Sequence, residues 1–280
     1  MPNIPLELVR HALAEDGAEA DITTLCTVPS EQQTRANIIA RQEGVIAGLA
    51  VAAATFRELD PRVSVELLVE DGASVQAGQV VAHISGPARS VLSAERVALN
   101  FLGHLSGIAT LTAQCVSALE GTKARILDTR KTTPGLRSLE KEAVRMGGGH
   151  NHRFNLSDGV LIKDNHIKAA GGIVSAITLA RRHAPHLLKI EVECETLLEV
   201  EEALGAAADV LLLDNMPVES MHRAVELARR VAPKVLIEAS GSIGTNPAKL
   251  AEVAGTGVDF ISLGAITHSA SNFDVSLEFA

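Results

Sequence analysis

Apolar positions in the second half of the chain fall into two alternating rhythms. Short β-rich runs occur at 125–129 (RILDT), 159–165 (GVLIKDN), 188–195 (LKIEVECE), 209–215 (DVLLLDN), 234–240 (KVLIEAS) and 259–265 (DFISLGA). The later gaps, at 172–183, 196–207, 217–231 and 246–254, carry the three-and-four spacing of helices, with Thr196 and Pro217 as start signals. Strand and helix in alternation at this spacing predict a parallel sheet built by right-handed crossovers. The first hundred residues read differently. A helix is expected at 6–14 and strands at 34–41, 63–69 and 79–84, with glycine turns between, which is an α+β module. From Ser93 onward, Val97, Phe101, Leu105, Ile108, Leu111, Cys115 and Leu119 recur on one helical face and predict a long helix linking the two parts. The tail at 272–280 (NFDVSLEFA) alternates like a strand. The expected organisation is an N-terminal domain at 1–106, a catalytic α/β domain at 107–268, and a tail at 269–280 that returns to the first domain.

A chain of 280 residues has room for two domains or one barrel with an added module. Hydrophobic residues make up 46% and charged residues 21%, which excludes a disordered chain. Aromatics are only 2%, with no Trp and no Tyr, so the core must be built from Ala, Val, Leu and Ile, as suits helices on a parallel sheet. The N-terminus lacks a basic start followed by an apolar run, and no stretch approaches the roughly 18 apolar residues of a membrane span. A cytoplasmic protein is expected. Cys26, Cys115 and Cys194 are odd in number and far apart, which suggests incidental thiols rather than a metal or disulfide framework.

The net charge of -9 argues against a general nucleic-acid binder. Its distribution says more: residues 123–168 hold ten Lys/Arg against five Asp/Glu, a basic island in an acidic protein. Such an island suits a small, multiply charged anion.

The predicted parallel strands each end in polar groups: Asp128, Lys163–Asn165, Glu193 and Glu195, Asp214 with Asn215, Glu238 with Ser240, and Gly264. In parallel α/β folds those carboxyl ends form the active-site face. Arg130, His152 and Arg153 could gather as a pocket for a dicarboxylate, because guanidinium forks match carboxylates in bidentate fashion. Glu191 and Glu193 alternate with apolar neighbours, so a strand aims both at one face, with Glu193 near Asp214. Carboxylates in a basic site bind a divalent cation, ribose hydroxyls or a developing positive charge. Two glycine-bearing turns, 239–244 (ASGSIG) and 263–269 (LGAITHS), offer backbone N–H groups for a phosphate, with Ser240, Gly241, Ser242, Gly264 and His268 as candidate contacts.

The segments DTRKTTPGLR, GGGHNHR, LIKDNH, ERVALN, LLLDN and LGAITHS together closely resemble the quinolinate phosphoribosyltransferase family. The resemblance implies an N-terminal α/β sandwich domain, an incomplete α/β barrel of the type II phosphoribosyltransferases, and a homodimer with shared active sites. By resemblance, Arg130, His152, Arg153 and Lys163 bind quinolinate, with Arg96 arriving from the partner subunit. Lys131, Glu193 and Asp214 handle phosphoribosyl pyrophosphate and its magnesium as the catalytic group. Ser240, Gly241, Gly264 and His268 hold the 5′-phosphate, while Ser242 stands where the family pattern has glycine or asparagine. No organic cofactor is expected. The implied reaction makes nicotinate mononucleotide, pyrophosphate and carbon dioxide, a step of NAD biosynthesis.

Other readings remain. Lys163 at a strand end could serve a Schiff-base aldolase. A nicotinate-using transferase would need one fewer carboxylate contact, and a molybdate-transport-associated homologue should lack the paired DTRKTTPGLR and LIKDNH motifs. Residues 69–85 look like half of a lipoyl carrier fold, but 43–85 contain no lysine.

Overall fold

Helices α1 (Leu6–Glu15) and α2 (Ile22–Thr27) lead into β1 (Gln33–Ala40), β2 (Gly44–Val45), α3 (Leu49–Leu59), β3 (Ser64–Leu67), β4 (Ser74–Val75) and β5 (Val80–Pro87). The 30-residue helix α4 (Ala88–Ser117) follows, then β6 (Arg125–Leu127), α5 (Arg137–Met146), β7 (Val160–Ile162), α6 (Asp164–Ala170) and α7 (Ile173–His183). The remainder is β8 (Ile190–Cys194), α8 (Leu197–Gly205), β9 (Val210–Asp214), α9 (Val218–Val231), β10 (Leu236–Ser240), α10 (Pro247–Ala254), β11 (Phe260–Ser262), α11 (Ala265–His268) and β12 (Val275–Phe279). This computed structural model describes residues 5–280. They form two compact units. The first runs to Ala113 and takes in Thr133–Gly148 and Ser269–Ala280; the second is Gln114–Thr132 with Gly149–His268.

The first unit centres on an antiparallel sheet of order β12-β1-β5-β3. Along β1 the inward residues Ala36, Ile38 and Ala40 are buried while their neighbours are not, the period-two signature of a sheet covered on one face. The C-terminal strand adds to the edge of β1, with Ile38 opposite Leu277. Helix α3 is almost wholly apolar and buries Leu49, Val51, Ala52, Ala53 and Phe56. Its first N–H, on Leu49, donates to Asp71 Oδ1 at 2.9 Å, so a carboxylate 22 residues away supplies the cap that Gly48 cannot.

The second unit is a six-stranded parallel sheet of order β6-β11-β10-β9-β8-β7, an open barrel whose end strands are β6 and β7. Its strands read as near-continuous apolar runs because both faces are covered; in β9, Val210, Leu211, Leu212 and Leu213 are all buried. All six expected strands are present, each shorter than its apolar run. The runs at 159–165 and 259–265 are cut most; in the first, β7 stops at Ile162, and Asp164 opens α6, whose third residue, His166, accepts the Lys163 N–H through Nδ1 at 2.9 Å. Thr196 caps α8 reciprocally with Glu199, as its sequence suggests. Among the described residues no helix is long and apolar enough to cross a membrane.

Candidate active site

The strand ends of the second unit open onto a cleft of about 520 Å3. Each strand or its following loop contributes residues: Thr129, Arg130 and Lys131 after β6, Lys163 after β7, Glu193 from β8, Asp214 and Asn215 from β9, Ser240 to Ser242 from β10, and Ser262 and Gly264 from β11. His152 and Arg153 come from the irregular segment before β7.

The irregular segment is held by side chains, since it has no ladder of its own. Fully buried Asp128, one residue past β6, accepts from Asn151 Nδ2 at 2.6 Å and from the His152 N–H at 2.8 Å. His152 Nδ1 accepts the Arg153 N–H at 2.7 Å, and Arg153 Nη1 donates to the Gly159 carbonyl at 2.8 Å. Burial, and the nearby Arg130 charge, hold the Arg153 pKa below the ordinary guanidinium value. Two guanidinium groups on one wall of a cleft favour an anion between them.

In the same cleft, Lys163 Nζ pairs with Glu193 Oε2 at 2.8 Å. Ligand atoms of Glu193, Glu195 and Asp214 lie within 4.8 Å of one another, an all-oxygen donor set that suits a hard divalent cation. The alternation of Glu191 and Glu193 places both toward the cleft, Glu193 on the wall and Glu191 beneath it.

The two glycine turns have steric reasons for their glycines. Asn215 has φ +52 and its Oδ1 accepts the Ser242 N–H at 2.9 Å. Gly241 lies against that amide with φ +104, where a Cβ would sit 2.4 Å from Asn215 Oδ1. At Gly264 a Cβ would come 3.0 Å from Lys131 Cδ and 3.2 Å from His268 Nε2, so these three groups converge. Thr267 Oγ1, donating to the Lys131 carbonyl at 2.7 Å, ties α11 to the loop after β6.

Beneath the cleft lies a feature that sequence reading named only as a polar strand tip. Glu238 on β10, 2% exposed, and Glu191 on β8, 7% exposed, both face His152 Nε2, at 3.6 and 3.1 Å. Burial opposes the charged form of His152, but the Glu191 hydrogen bond and the two carboxylate charges outweigh it and raise the ring's pKa. Burial, and then the Glu191 charge, hold Glu238 well above the usual carboxylate range. The available signal was Glu238's period-two relation to Ser240 on the same strand. Asn215 lines the cleft as its place at a strand end suggested, whereas Thr129 and Ser262 were missed, and only the folded backbone reveals them.

The structure brings Arg130, Lys131, His152, Arg153, Lys163, Glu193, Asp214, Ser240, Gly241, Ser242 and Gly264 together around one cleft, with His268 beside Gly264. Arg96 is exposed on α4 in the first unit and is not among the residues lining the cleft.

An open parallel α/β barrel whose strand ends mix guanidinium, ammonium, carboxylate and glycine turns defines an enzyme that works on small polyanions. The chain belongs to the quinolinate phosphoribosyltransferase family: its model for the N-terminal domain matches residues 21–106 and that for the C-terminal domain residues 108–278. The chain is 44% identical to a probable nicotinate-nucleotide pyrophosphorylase (carboxylating) of Bacillus subtilis, over 97% of this chain and 92% of that one. It is also 44% identical to the nicotinate-nucleotide pyrophosphorylase (carboxylating) of Mycobacterium leprae, over 97% and 96%. The crystal structure of the Ehrlichia chaffeensis nicotinate-nucleotide pyrophosphorylase superimposes with a TM-score of 0.93 at 38% identity, covering 100% of both chains. That of human nicotinic acid phosphoribosyltransferase, at 14% identity and a TM-score of 0.67 over 95% of this chain and 73% of that one, shares the fold alone.

Proposed function

We propose that this chain transfers the phosphoribosyl group of phosphoribosyl pyrophosphate to the ring nitrogen of quinolinate and releases carbon dioxide, giving nicotinate mononucleotide and pyrophosphate. The observation that carries the reading is the union, in one cleft, of cationic side chains fit for two adjacent carboxylates with carboxylates and glycine turns fit for a phosphorylated sugar. Arg130, Arg153 and Lys163 bind the dicarboxylate, and the ring of His152 lines the cleft floor beneath it. The N–H groups around Gly241 and Gly264, with Ser240, Ser242 and His268, hold the 5′-phosphate. Lys131 meets the negative charge of the pyrophosphate.

In the first step the pyridine nitrogen forms a bond to C1′ while the C1′–oxygen bond breaks and its electron pair leaves with pyrophosphate. Glu193 and Asp214 stabilise the positive charge that develops on the ribose. In the second, the C2–carboxylate bond breaks, carbon dioxide departs, and the electron pair left at C2 beside the pyridinium nitrogen takes up a proton. Glu193, Glu195 and Asp214 are the residues that would hold a magnesium ion, which neutralises pyrophosphate charge when bound. The reaction needs no organic cofactor. The enzyme is a cytoplasmic homodimer in this reading, with Arg96 contributed across the interface.

The test is release of labelled carbon dioxide from carboxyl-labelled quinolinate, with and without phosphoribosyl pyrophosphate and magnesium. Release requiring all three components is expected. Turnover of nicotinate without release of label would overturn the substrate assignment.

A further inference from the structure

The two buried glutamates under His152 present a donor deficit. If both were ionised, they would offer four acceptor oxygens, with His152 Nε2–H and the Ser262 hydroxyl as the donors facing them. Oε1 of each carboxyl is buried with no partner among the described residues. Unpaired carboxylate oxygens in such a place are costly, and two carboxylates side by side doubly so. One added proton removes both problems: it supplies the missing donor and cancels one of the two charges. Ligand atoms of Glu191, Glu238 and His152 lie within 4.8 Å of one another, and two carboxyl groups so placed can hydrogen-bond to each other only through that proton.

The other side of the imidazole is fixed too. His152 Nδ1 accepts the Arg153 N–H, so the ring as placed carries its proton on Nε2 and is neutral. The raised pKa of His152 reflects the carboxylate charges, yet protonating Nδ1 would set two donors against each other across 2.7 Å. The contact geometry takes precedence.

We propose that Glu238 is a positioning residue, a neutral carboxylic acid that donates to Glu191, which in turn accepts from His152 Nε2–H and so fixes the ring whose Nδ1 holds the Arg153 backbone. The chain of contacts runs from β10 through β8 to the irregular segment that carries Arg153. It keeps the cleft floor at one negative charge rather than two, where a dianion is to bind, and aims the guanidinium from beneath. This role rests on the quinolinate reading for its kinetic consequence but not for its hydrogen bonding.

Two measurements separate those parts. In protein labelled with 15N at histidine, the His152 ring, assigned by its loss in His152→Gln, is expected to show a protonated Nε2 and an unprotonated Nδ1 at neutral pH. An imidazolium or the Nδ1–H tautomer would overturn the proposal, whatever the substrate. Kinetically, Glu238→Leu and Glu191→Gln are expected to raise the quinolinate KM by about tenfold or more through misplacement of Arg153, with the KM for phosphoribosyl pyrophosphate little changed. The conservative Glu238→Gln is expected to rescue, because an amide donates to Glu191 as the acid does. If Glu238→Gln is as impaired as Glu238→Leu, an ionised or metal-bound Glu238 is indicated and the proposal fails. A purified protein carrying a tightly bound metal that Glu238→Gln loses would overturn it as well. Wild type that fails to bind quinolinate would sink the functional reading, while the histidine spectrum still decides the contact chain.

Discussion

At the scale of single residues, the cleft works by placing charge where water is scarce. Arg153 has its guanidinium partly desolvated, anchored to one carbonyl and faced by Arg130, so it gains more from an incoming carboxylate than an exposed arginine would. Arg153→Ala should therefore raise the quinolinate KM by roughly 30-fold or more, the equivalent of about 2 kcal/mol or above, with a smaller effect on phosphoribosyl pyrophosphate. Steady-state kinetics with each substrate varied in turn check this, and equal changes in both KM values would count against an anion pocket at Arg153. Gly241 gives a complementary probe in the same cleft. Alanine there meets Asn215 Oδ1 and takes up a disfavoured φ of +104, a strain of about 1–3 kcal/mol that the turn must relieve by moving. Gly241→Ala is expected to raise the KM for phosphoribosyl pyrophosphate by about tenfold while quinolinate binding, followed by calorimetry, stays near the wild-type value. These two positions were readable from sequence because arginine beside histidine at a strand boundary, and glycine after a strand-tip serine, are chemically specific. Glu238 was not, since a glutamate's neutrality depends on the carboxylate and imidazole packed against it, which come from β8 and from a loop 86 residues earlier.

At the scale of elements, the sheet carries a repeated device at its amino-terminal edge, away from the strand ends that form the cleft. Asp209, just before β9, accepts the Ile190 N–H and Arg181 Nη1, both at 2.8 Å. Asp259, just before β11, accepts the Ile237 N–H at 2.8 Å and Arg229 Nη2 at 2.6 Å, and its other oxygen takes Lys123 Nζ at 2.8 Å. In each case the arginine comes from the last turn of the helix that precedes the neighbouring strand, so one carboxylate locks helix, strand and next strand together. Burial would raise the Asp259 pKa, but Lys123 and Arg229 prevail and hold it below the usual value. A depressed folded-state pKa adds stability above the unfolded-state pKa, near 4, and loses it as pH falls through the folded value. Asp259→Asn should accordingly cost about 1–3 kcal/mol in urea unfolding at pH 7 and progressively less below about pH 4. A deficit that stays constant down to pH 2 would show that the charge is not what matters. The six strands were legible because a two-face-buried strand is an apolar run with a polar tip, and length separates it from a helix. Helix α3 was not, because LAVAAATF is small and apolar all round and has no polar face to set a period. Helix α6 was masked for the opposite reason: Lys163, Asp164 and Asn165 continue the look of a strand tip while the His166 ring already caps a helix.

At the scale of the whole molecule, the chain's ends and middle are interleaved: the C-terminal strand β12 completes the sheet of the first unit, and Thr133–Gly148 belongs to that unit although it lies between two barrel strands. Apolar patterning identified the tail as a strand and left 133–148 inside the expected domain at 107–268, since an amphipathic helix shows which face it buries and not which neighbour covers it. Arg96 raises the same difficulty one level up. It is exposed on α4, outside the cleft lining, while the family resemblance gives it a part in binding quinolinate. A twofold-symmetric dimer reconciles the two if each cleft takes its Arg96 from the other subunit. That arrangement predicts complementation. Arg96→Ala and Arg153→Ala alone are each expected to lose nearly all activity at quinolinate concentrations well below their raised KM. Co-expressed under two affinity tags and purified through both, the mixed dimer holds one site that lacks both arginines and one that lacks neither. Its activity should be about half that of the wild-type dimer, with the wild-type KM for quinolinate, because the intact site is built wholly from wild-type groups. If Arg96 served a cleft in its own subunit, each site of the mixed dimer would lack one arginine, and activity would remain at the level of the single variants. Dilution below the dimer's dissociation constant distinguishes the cases a second way, since only shared sites lose activity as subunits separate.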